Sequence, residues 1–154
     1  MRQGDAPGNY FEDFLPGDCF HHWPAKTVQE SDNNLFCLLT MNHHPVHLDE
    51  KFCTEEHLHG RILVVGTYVL SLAVGMSVRD ISALAIANLS YHDVQHHEPV
   101  FVGDTLRAMT EVKSTRPSDS KPDRGIVTVK TRVFNQGGTG VLSFERSVLI
   151  PRRP

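Results

Sequence analysis

The chain has 154 residues, of which 40% are hydrophobic and 21% are charged, a composition typical of a soluble globular protein. Its formal net charge of -3 provides no basic surface of the kind that nucleic-acid binding needs. The three cysteines, Cys19, Cys37 and Cys53, lack Cys-x-x-Cys spacing and are odd in number. We therefore expect reduced thiols in a cytoplasmic protein.

Two stretches were considered as targeting or membrane segments. The polar N-terminus has no apolar core, so the sequence predicts no signal peptide. The uncharged run at residues 62–78 is shorter than the roughly 20 residues that a spanning helix needs, and it contains several glycines and hydroxyl residues. A buried helix of a soluble protein is the better interpretation.

The first half of the chain indicates helices after a short strand. Residues 18–28 resemble a strand that Pro24 interrupts, which indicates an edge or a bulge. Residues 30–42 carry leucines at helical spacing (Leu35, Leu38, Leu39), with Ser31 or Asp32 as the expected N-cap. A short helix is expected at residues 50–56, and a long one at 63–77 that is apolar nearly all round and should be enclosed on most sides.

The second half indicates strands. Segments 84–94, 105–115, 125–135 and 141–150 have strand length and composition, and apolar and polar residues alternate in the third. Glycines at 137, 138 and 140 are typical of a tight hairpin turn. The sequence therefore predicts an α+β fold, in which an antiparallel sheet of about five strands wraps around the helix at 63–77.

The most informative stretch is Asn42-His43-His44-Pro45-Val46-His47-Leu48-Asp49. An amide and an imidazole lie five residues apart, directly after the first helical segment. Because a proline disfavours helical conformation in the residue before it, the helix should end near His43. If Asn42 ends the helix and Pro45 turns the chain, the side chains of Asn42 and His47 can reach one pocket.

This stretch resembles the hydratase motif of the MaoC-like, or (R)-specific, enoyl-CoA hydratases, which runs Gly-Asp-x-Asn-Pro-Ile-His-x-Asp. Here Asn42 takes the place of the catalytic Asp, His44 that of the Asn, and His47 is retained. Segments 10–14, 16–18 and 99–106 also match the family. The resemblance implies a single hotdog domain over residues 1–154, with a helical overhang within residues 30–59 and at least a homodimer.

Within that family, Leu39-Thr40-Met41-Asn42 is similar to a branch that looks like hydratases of branched dicarboxylic enoyl-CoA esters, such as mesaconyl-CoA or itaconyl-CoA. The resemblance implies a hydro-lyase that adds water to an enoyl-CoA or removes it. The CoA thioester would be the substrate, and no cofactor, metal, nucleic acid or membrane is expected. A carrier-protein thioester remains an alternative to CoA.

Hydration of an unsaturated thioester needs an activated water, a proton for the α-carbon and a donor for the enolate oxygen. Imidazole titrates near neutral pH, so His47 is the candidate proton shuttle. Asn42 does not titrate usefully, but its carbonyl oxygen can hold the water. Asp49 or Asp32 could supply a second acid-base group, although no spacing supports either.

The resemblance also suggests the donor for the thioester oxygen. In the family the central helix begins with an Ile-Ala-His-Gly segment whose glycine N–H faces that oxygen, and Gly66 is the matching glycine here. A helix N-terminus has unpaired N–H groups and a positive dipole end, so the assignment is physically reasonable. Val65 replaces the family's His, which removes a polar group.

Simpler interpretations remain open. Asn42 could be a helix cap, His47 a solvent-facing side chain and Gly66 a small residue that permits close packing. The alternative functions are a hotdog thioesterase, which would need a carboxylate that residues 62–78 lack, and a non-catalytic acyl-thioester-binding protein. Ten histidines, among them the His96-His97 pair, show no ligand trio at metalloenzyme spacing. The pair could line an acyl tunnel, but a surface position is favoured.

Overall fold

A computed structural model describes residues 8–56 and 58–154. Its strands form one antiparallel sheet in the order β1-β4-β5-β6-β3, and β2 also pairs with β4. The strands are β1 (Cys19–His21), β2 (Lys26–Thr27), β3 (Ala87–His96), β4 (Thr105–Pro117), β5 (Arg124–Phe134) and β6 (Gly140–Pro151). The helices are α1 (Glu30–Thr40), α2 (Glu50–Glu56) and α3 (Gly66–Ser77), and a π-helical turn, Val78–Ser82, follows α3.

The predicted strands are confirmed, with boundaries that shift by up to three residues. In β5, residues 125, 127, 129, 131 and 133 are buried and the residues between them are half-buried, as a period of two requires. The weak first strand is present as two short pieces, β1 and β2, on either side of Pro24. Because both pieces pair with β4, the sheet has six strands rather than about five.

The core lies between α3 and the sheet. Val69 and Ala73 of α3 are buried in a cluster with Leu106 of β4 and Phe144 of β6. The prediction that this helix begins at residue 63 is wrong by three residues, because Leu63 forms an isolated bridge with Phe101. The helix is also less enclosed than predicted, since residues 67, 71 and 75 leave one face exposed.

Helix α1 packs in a way that its leucines do not predict. Leu35, Leu38 and Leu39 are 56%, 66% and 75% exposed, whereas Asn33 and Cys37 are fully buried. The helix predicted from the spacing of these leucines is confirmed, but in the single chain the leucines themselves lie outside the core. The N-cap is Gln29 rather than Ser31 or Asp32, although the Asp32 carboxylate does accept a hydrogen bond from the Gln29 N–H at 2.8 Å.

A buried arginine lies beneath the C-terminal end of α3. Arg146 of β6 donates hydrogen bonds to Ser77 Oγ at 2.7 Å and to Asn88 Oδ1 at 3.3 Å. Burial lowers the pKa of its guanidinium, and its Nε has no partner among the described residues. The negative end of the α3 dipole partly compensates this buried charge. No helix in the described ranges is long and apolar enough to cross a membrane.

The N-terminal lead-in packs on β5 at a position that only glycine can occupy. A Cβ at Gly125 would lie 2.3 Å from the Phe11 ring. We expect Gly125→Ala to displace Phe11 and to lower the free energy of unfolding by about 1–3 kcal/mol. Thermal and urea unfolding measure the change.

The matched control is Gly75→Ala in α3, where a Cβ meets nothing within 4 Å. Because glycine weakens a helix interior relative to alanine, this variant should gain up to about 1 kcal/mol. Equal stability changes in the two variants would contradict the close contact at Gly125.

Candidate active site

The motif predicted to carry the chemistry begins directly after α1. Met41 adopts a left-handed conformation with φ 59°, and the N–H of Asn42 donates to Cys37 O at 3.1 Å. The helix therefore ends at Thr40, and the prediction that Asn42 ends it is wrong by two residues. Asn42 lies in the loop, where its half-buried amide oxygen accepts a hydrogen bond from the His44 N–H at 3.4 Å.

A single 3-10 turn, Pro45–His47, presents the histidine. His44 Nδ1 accepts a hydrogen bond from the Val46 N–H at 3.2 Å, and the Cys53 thiol of α2 donates to Val46 O at 3.2 Å. Burial raises the pKa of the Cys53 thiol, so it remains neutral and acts as a donor. The turn is therefore held from both sides, and α2 supports it from below.

One hydrogen bond sets which ring nitrogen of neutral His47 carries the proton. Its Nδ1 lies 2.7 Å from the carbonyl oxygen of Leu63, which can only accept, so Nδ1 carries the proton. The neutral ring then has an unprotonated Nε2, and within the described residues nothing bonds to that atom. A ring fixed in this tautomer can take a proton from water, as a general base must.

The N-terminus of α3 provides the matching donor. The N–H groups of Tyr68 and Val69 both donate to Val65 O, at 3.0 and 3.2 Å. The Gly66 N–H has no acceptor in the described part of the chain, and it lies at the positive end of the helix dipole. This arrangement fits the role in stabilising an oxyanion that the sequence suggested for Gly66.

The sequence did not indicate that Asn33 belongs to the site. Its side chain is fully buried. Nδ2 donates to the backbone oxygen of His47 at 2.9 Å, and Oδ1 accepts from the Val65 N–H at 3.0 Å. One amide thus joins the histidine turn to the residue that precedes Gly66. An asparagine within a leucine-rich helical run is the only sequence signal, since a buried polar side chain needs partners.

A cavity of about 300 Å³ opens beside Gly66. Its walls include Leu63 and Val69, and also His96 and His97 from the end of β3. The prediction that this histidine pair lies at the surface is therefore correct but incomplete. Both residues are exposed in the chain, yet both line the cavity, as the tunnel alternative required.

The two carboxylates considered as second acid-base groups have structural roles. Asp32 pairs with Lys26 at 2.8 Å, and this hydrogen bond, with that from the Gln29 N–H, holds the pKa of Asp32 below its usual value. Asp49 Oδ1 accepts from the Phe52 N–H at 2.9 Å in the first turn of α2. Neither geometry supports a role in proton transfer.

The described histidines do not form a metal centre. No three His, Cys, Asp or Glu side chains come together to hold an ion anywhere in residues 8–56 and 58–154. His22 has both ring nitrogens engaged, with Asp80 at 2.6 Å and Thr110 at 2.7 Å. The His57-x-His59 pair includes His57, which lies outside the described residues.

A six-stranded antiparallel sheet on one long helix, with the site at the helix N-terminus, defines a hotdog protein. A Mycobacterium tuberculosis protein described as having a double hotdog fold agrees, with a TM-score of 0.87 and 27% identity over 96% of this chain and 46% of its own. The chain belongs to the mesaconyl-CoA hydratase family, whose model matches residues 3–154. The resemblance to MaoC-like hydratases is thereby confirmed.

Two curated relatives illustrate the family. The mesaconyl-CoA hydratase of Cereibacter sphaeroides is 34% identical over 146 residues, which cover 95% of this chain but 42% of that protein. The (R)-specific enoyl-CoA hydratase of Rhodospirillum rubrum is 27% identical over 155 residues and covers 99% of both. The chain therefore spans about two fifths of the length of the mesaconyl-CoA hydratases that it matches.

The two hydrogen bonds made by the Asn33 side chain can be tested by substitution. Asn33→Leu removes both hydrogen bonds and leaves the Val65 N–H and His47 O buried without partners, so we expect a loss of about 1–3 kcal/mol per unsatisfied group. Asn33→Asp keeps the acceptor for Val65 but directs a carboxylate at His47 O. In both folded variants, misplacement of His47 should lower kcat on any ester that the wild-type protein turns over, on the order of 10²-fold.

Asn34→Ala, on the same helix, is the matched control and should leave kcat unchanged. Urea unfolding and steady-state kinetics below the unfolding transition separate the two effects. A fully folded Asn33→Leu variant with the wild-type kcat would show that Asn33 serves the fold alone.

Proposed function

We propose that the chain catalyses the reversible hydration of an enoyl-CoA thioester. The observation that carries the proposal is the pairing of His47, whose Nδ1 proton is held by Leu63 O at 2.7 Å, with the unengaged Gly66 N–H three residues after Leu63. A proton acceptor and an oxyanion donor are thus fixed to the same short segment. The names of the relatives support the reaction.

The mechanism follows from these two groups. His47 Nε2 takes a proton from water as the water oxygen bonds to the β-carbon, and the π electrons move onto the thioester oxygen. The Gly66 N–H and the α3 dipole stabilise that oxyanion. The proton on His47 then passes to the α-carbon, and the carbonyl forms again. His47 serves both proton transfers, and dehydration is the same sequence reversed.

Asn42 positions the water in this proposal. A carbonyl oxygen accepts a hydrogen bond from water and directs a lone pair at the β-carbon without taking the proton. The amide of Asn42 is oriented by the His44 N–H, which lies on the same turn as His47. The proton itself must therefore go to the imidazole.

We infer a branched dicarboxylic enoyl-CoA, of the mesaconyl or itaconyl type, as the substrate. The Leu39-Thr40-Met41-Asn42 segment and the family match support this choice. The cavity volume of about 300 Å³ suits a short acyl group better than a long one. We place this chemistry in the cytoplasm, with the CoA ester as the only small-molecule partner.

We also propose a homodimer as the working unit. Strand β3 lies at the edge of the sheet and is exposed along nearly its whole length, including Leu89 and Tyr91 at 50% and 45%. An exposed apolar edge strand is a surface that proteins usually cover. The relative with a double hotdog fold supports pairing with a second copy of this chain.

Two alternatives fit the site less well. A hotdog thioesterase would need a carboxylate on or near α3, but α3 has none, and Asp32 and Asp49 are engaged in helix caps. Glu98, the carboxylate that lines the cavity, lies in the exposed segment after β3 and not on α3. A protein that only binds acyl thioesters would have no use for a histidine fixed in the tautomer of a base. Neither alternative gains support from an observation of its own.

A panel of CoA esters tests the reaction. The panel contains saturated and unsaturated esters, both linear and dicarboxylic. We expect the saturated esters to be inert and the enoyl esters to gain the mass of one water. No ester should release free thiol. Mass spectrometry and a thiol reagent measure the two outcomes. Release of thiol would establish the thioesterase, whereas micromolar binding without any mass change would establish the binding protein.

Substitutions in the motif test the assigned roles. His47→Ala should reduce kcat by roughly 10²–10⁴-fold, the usual loss for a general acid-base residue. His43→Ala, at the exposed neighbouring histidine, is the matched control and should retain the wild-type rate. Asn42→Asp restores the usual acid-base pair of the family and should raise the rate on crotonyl-CoA. Full activity of His47→Ala would refute the mechanism.

A further inference from the structure

The end of β3 is shaped by an irregularity beside the site. The register between β3 and β6 shifts between His92 and Gln95, and Asp93 in that interval has a positive φ of 48°. A bulge of this kind re-aims the side chains that follow it, and bulges often lie next to active sites. The alternation of side chains in the first part of β3 therefore does not predict which face of the sheet residues 95–97 point to.

After the bulge, His96 faces the helix and His97 faces away from it. His96 pairs directly with Leu142, a core residue of the cluster under α3, and opposite residues of an antiparallel pair share a face of the sheet. His97 bonds through Nε2 to Ser143 Oγ at 2.8 Å. The alternation along the strand thus gives the two histidines separate surroundings.

The His96 ring lies directly against Gly66. A Cβ at position 66 would be 2.7 Å from His96 Cε1, and 3.1 and 3.2 Å from Nε2 and Nδ1. The ring can occupy this place only because residue 66 has no side chain. Both ring nitrogens are therefore close to the backbone whose N–H is the candidate oxyanion donor.

On the basis of the proposed hydration, we infer that His96 is a catalytic residue that donates a second hydrogen bond to the thioester oxygen. Enolate formation places charge on that oxygen, and α3 offers it one N–H from Gly66. A neutral or charged imidazole has an N–H donor, and His96 lies on the cavity wall beside Gly66. Two converging donors form the usual arrangement around a developing oxyanion.

Other ionisable groups face the same cavity. Glu98, His59 and His97 line it together with His96. The role needs only the N–H, which both protonation states of the imidazole provide. The function of His96 therefore does not depend on its being charged.

The test combines turnover with a spectroscopic readout that needs no turnover. His96→Phe keeps an aromatic ring against Gly66 without a donor, and His96→Gln replaces the imidazole N–H by an amide N–H. His21→Phe, on β1 at the opposite edge of the sheet, is the control, because His21 is exposed and is not among the residues that line the cavity. Kinetics on enoyl-CoA esters are compared with the infrared carbonyl stretch of bound butyryl-CoA labelled with ¹³C at the thioester carbon.

We expect His96→Phe to lower kcat on the order of 10²–10³-fold, the effect of removing one oxyanion donor, with KM within a few-fold of the wild type. The carbonyl stretch should move to higher frequency in His96→Phe and return toward the wild-type value in His96→Gln. An unchanged stretch and rate in His96→Phe would overturn the role of His96. If wild-type protein binds butyryl-CoA but hydrates no ester, the proposed function fails, and the infrared comparison still decides on His96. If butyryl-CoA does not bind at all, both proposals fall.

Discussion

The site depends on two hydrogen bonds made by one buried amide. Asn33 donates to the backbone of His47 and accepts from the backbone of Val65, and its side chain has no contact with water. A polar group buried in this way is costly unless both its donor and its acceptor are satisfied. The cost of breaking either bond therefore keeps the histidine turn and the start of α3 in one relative position.

Other bonds between the same two segments reinforce this constraint. The Leu63 N–H donates to Val46 O at 3.0 Å, and His47 Nδ1 donates to Leu63 O. The histidine turn and the segment before Gly66 are therefore joined by both backbone and side-chain hydrogen bonds. In the proposed mechanism His47 is the single acid-base group, because Asn42 stands where the family has Asp. Preorganisation then matters more than it would if a second titratable residue could compensate for misplacement.

The sequence predicted the regular elements better than their ends. The bounds of α2 were predicted correctly, and the long strands were predicted from their length and composition, with a period of two in the third. The end of α1 was placed two residues late because a left-handed Met41 has no sequence signature, whereas glycine at the same place would have shown it. The start of α3 was missed because Leu63 is as apolar as the helix that it precedes.

The residues of the candidate site also differ in how well the sequence predicted them. His47, Asn42 and Gly66 were predicted because they belong to a local motif or match a family pattern. Asn33 was not, because its partners lie far from it in the chain, where periodicity does not reveal them. His96 was predicted only as an alternative, in the wall of an acyl tunnel. The leucines of α1 correctly indicated a helix but not their own exposure, since helical spacing predicts an apolar face and does not say what covers it.

The bulge in β3 determines which residue lies against Gly66. Side chains in a strand alternate between faces, so a shift of one residue exchanges every side chain between them. If β3 instead paired regularly beyond His92, without the bulge near Asp93, His96 would lie opposite Val141 and face away from α3, with no change in the composition of the wall. In this segment, evolutionary insertions and deletions would therefore alter the chemistry of the cavity more abruptly than most point substitutions.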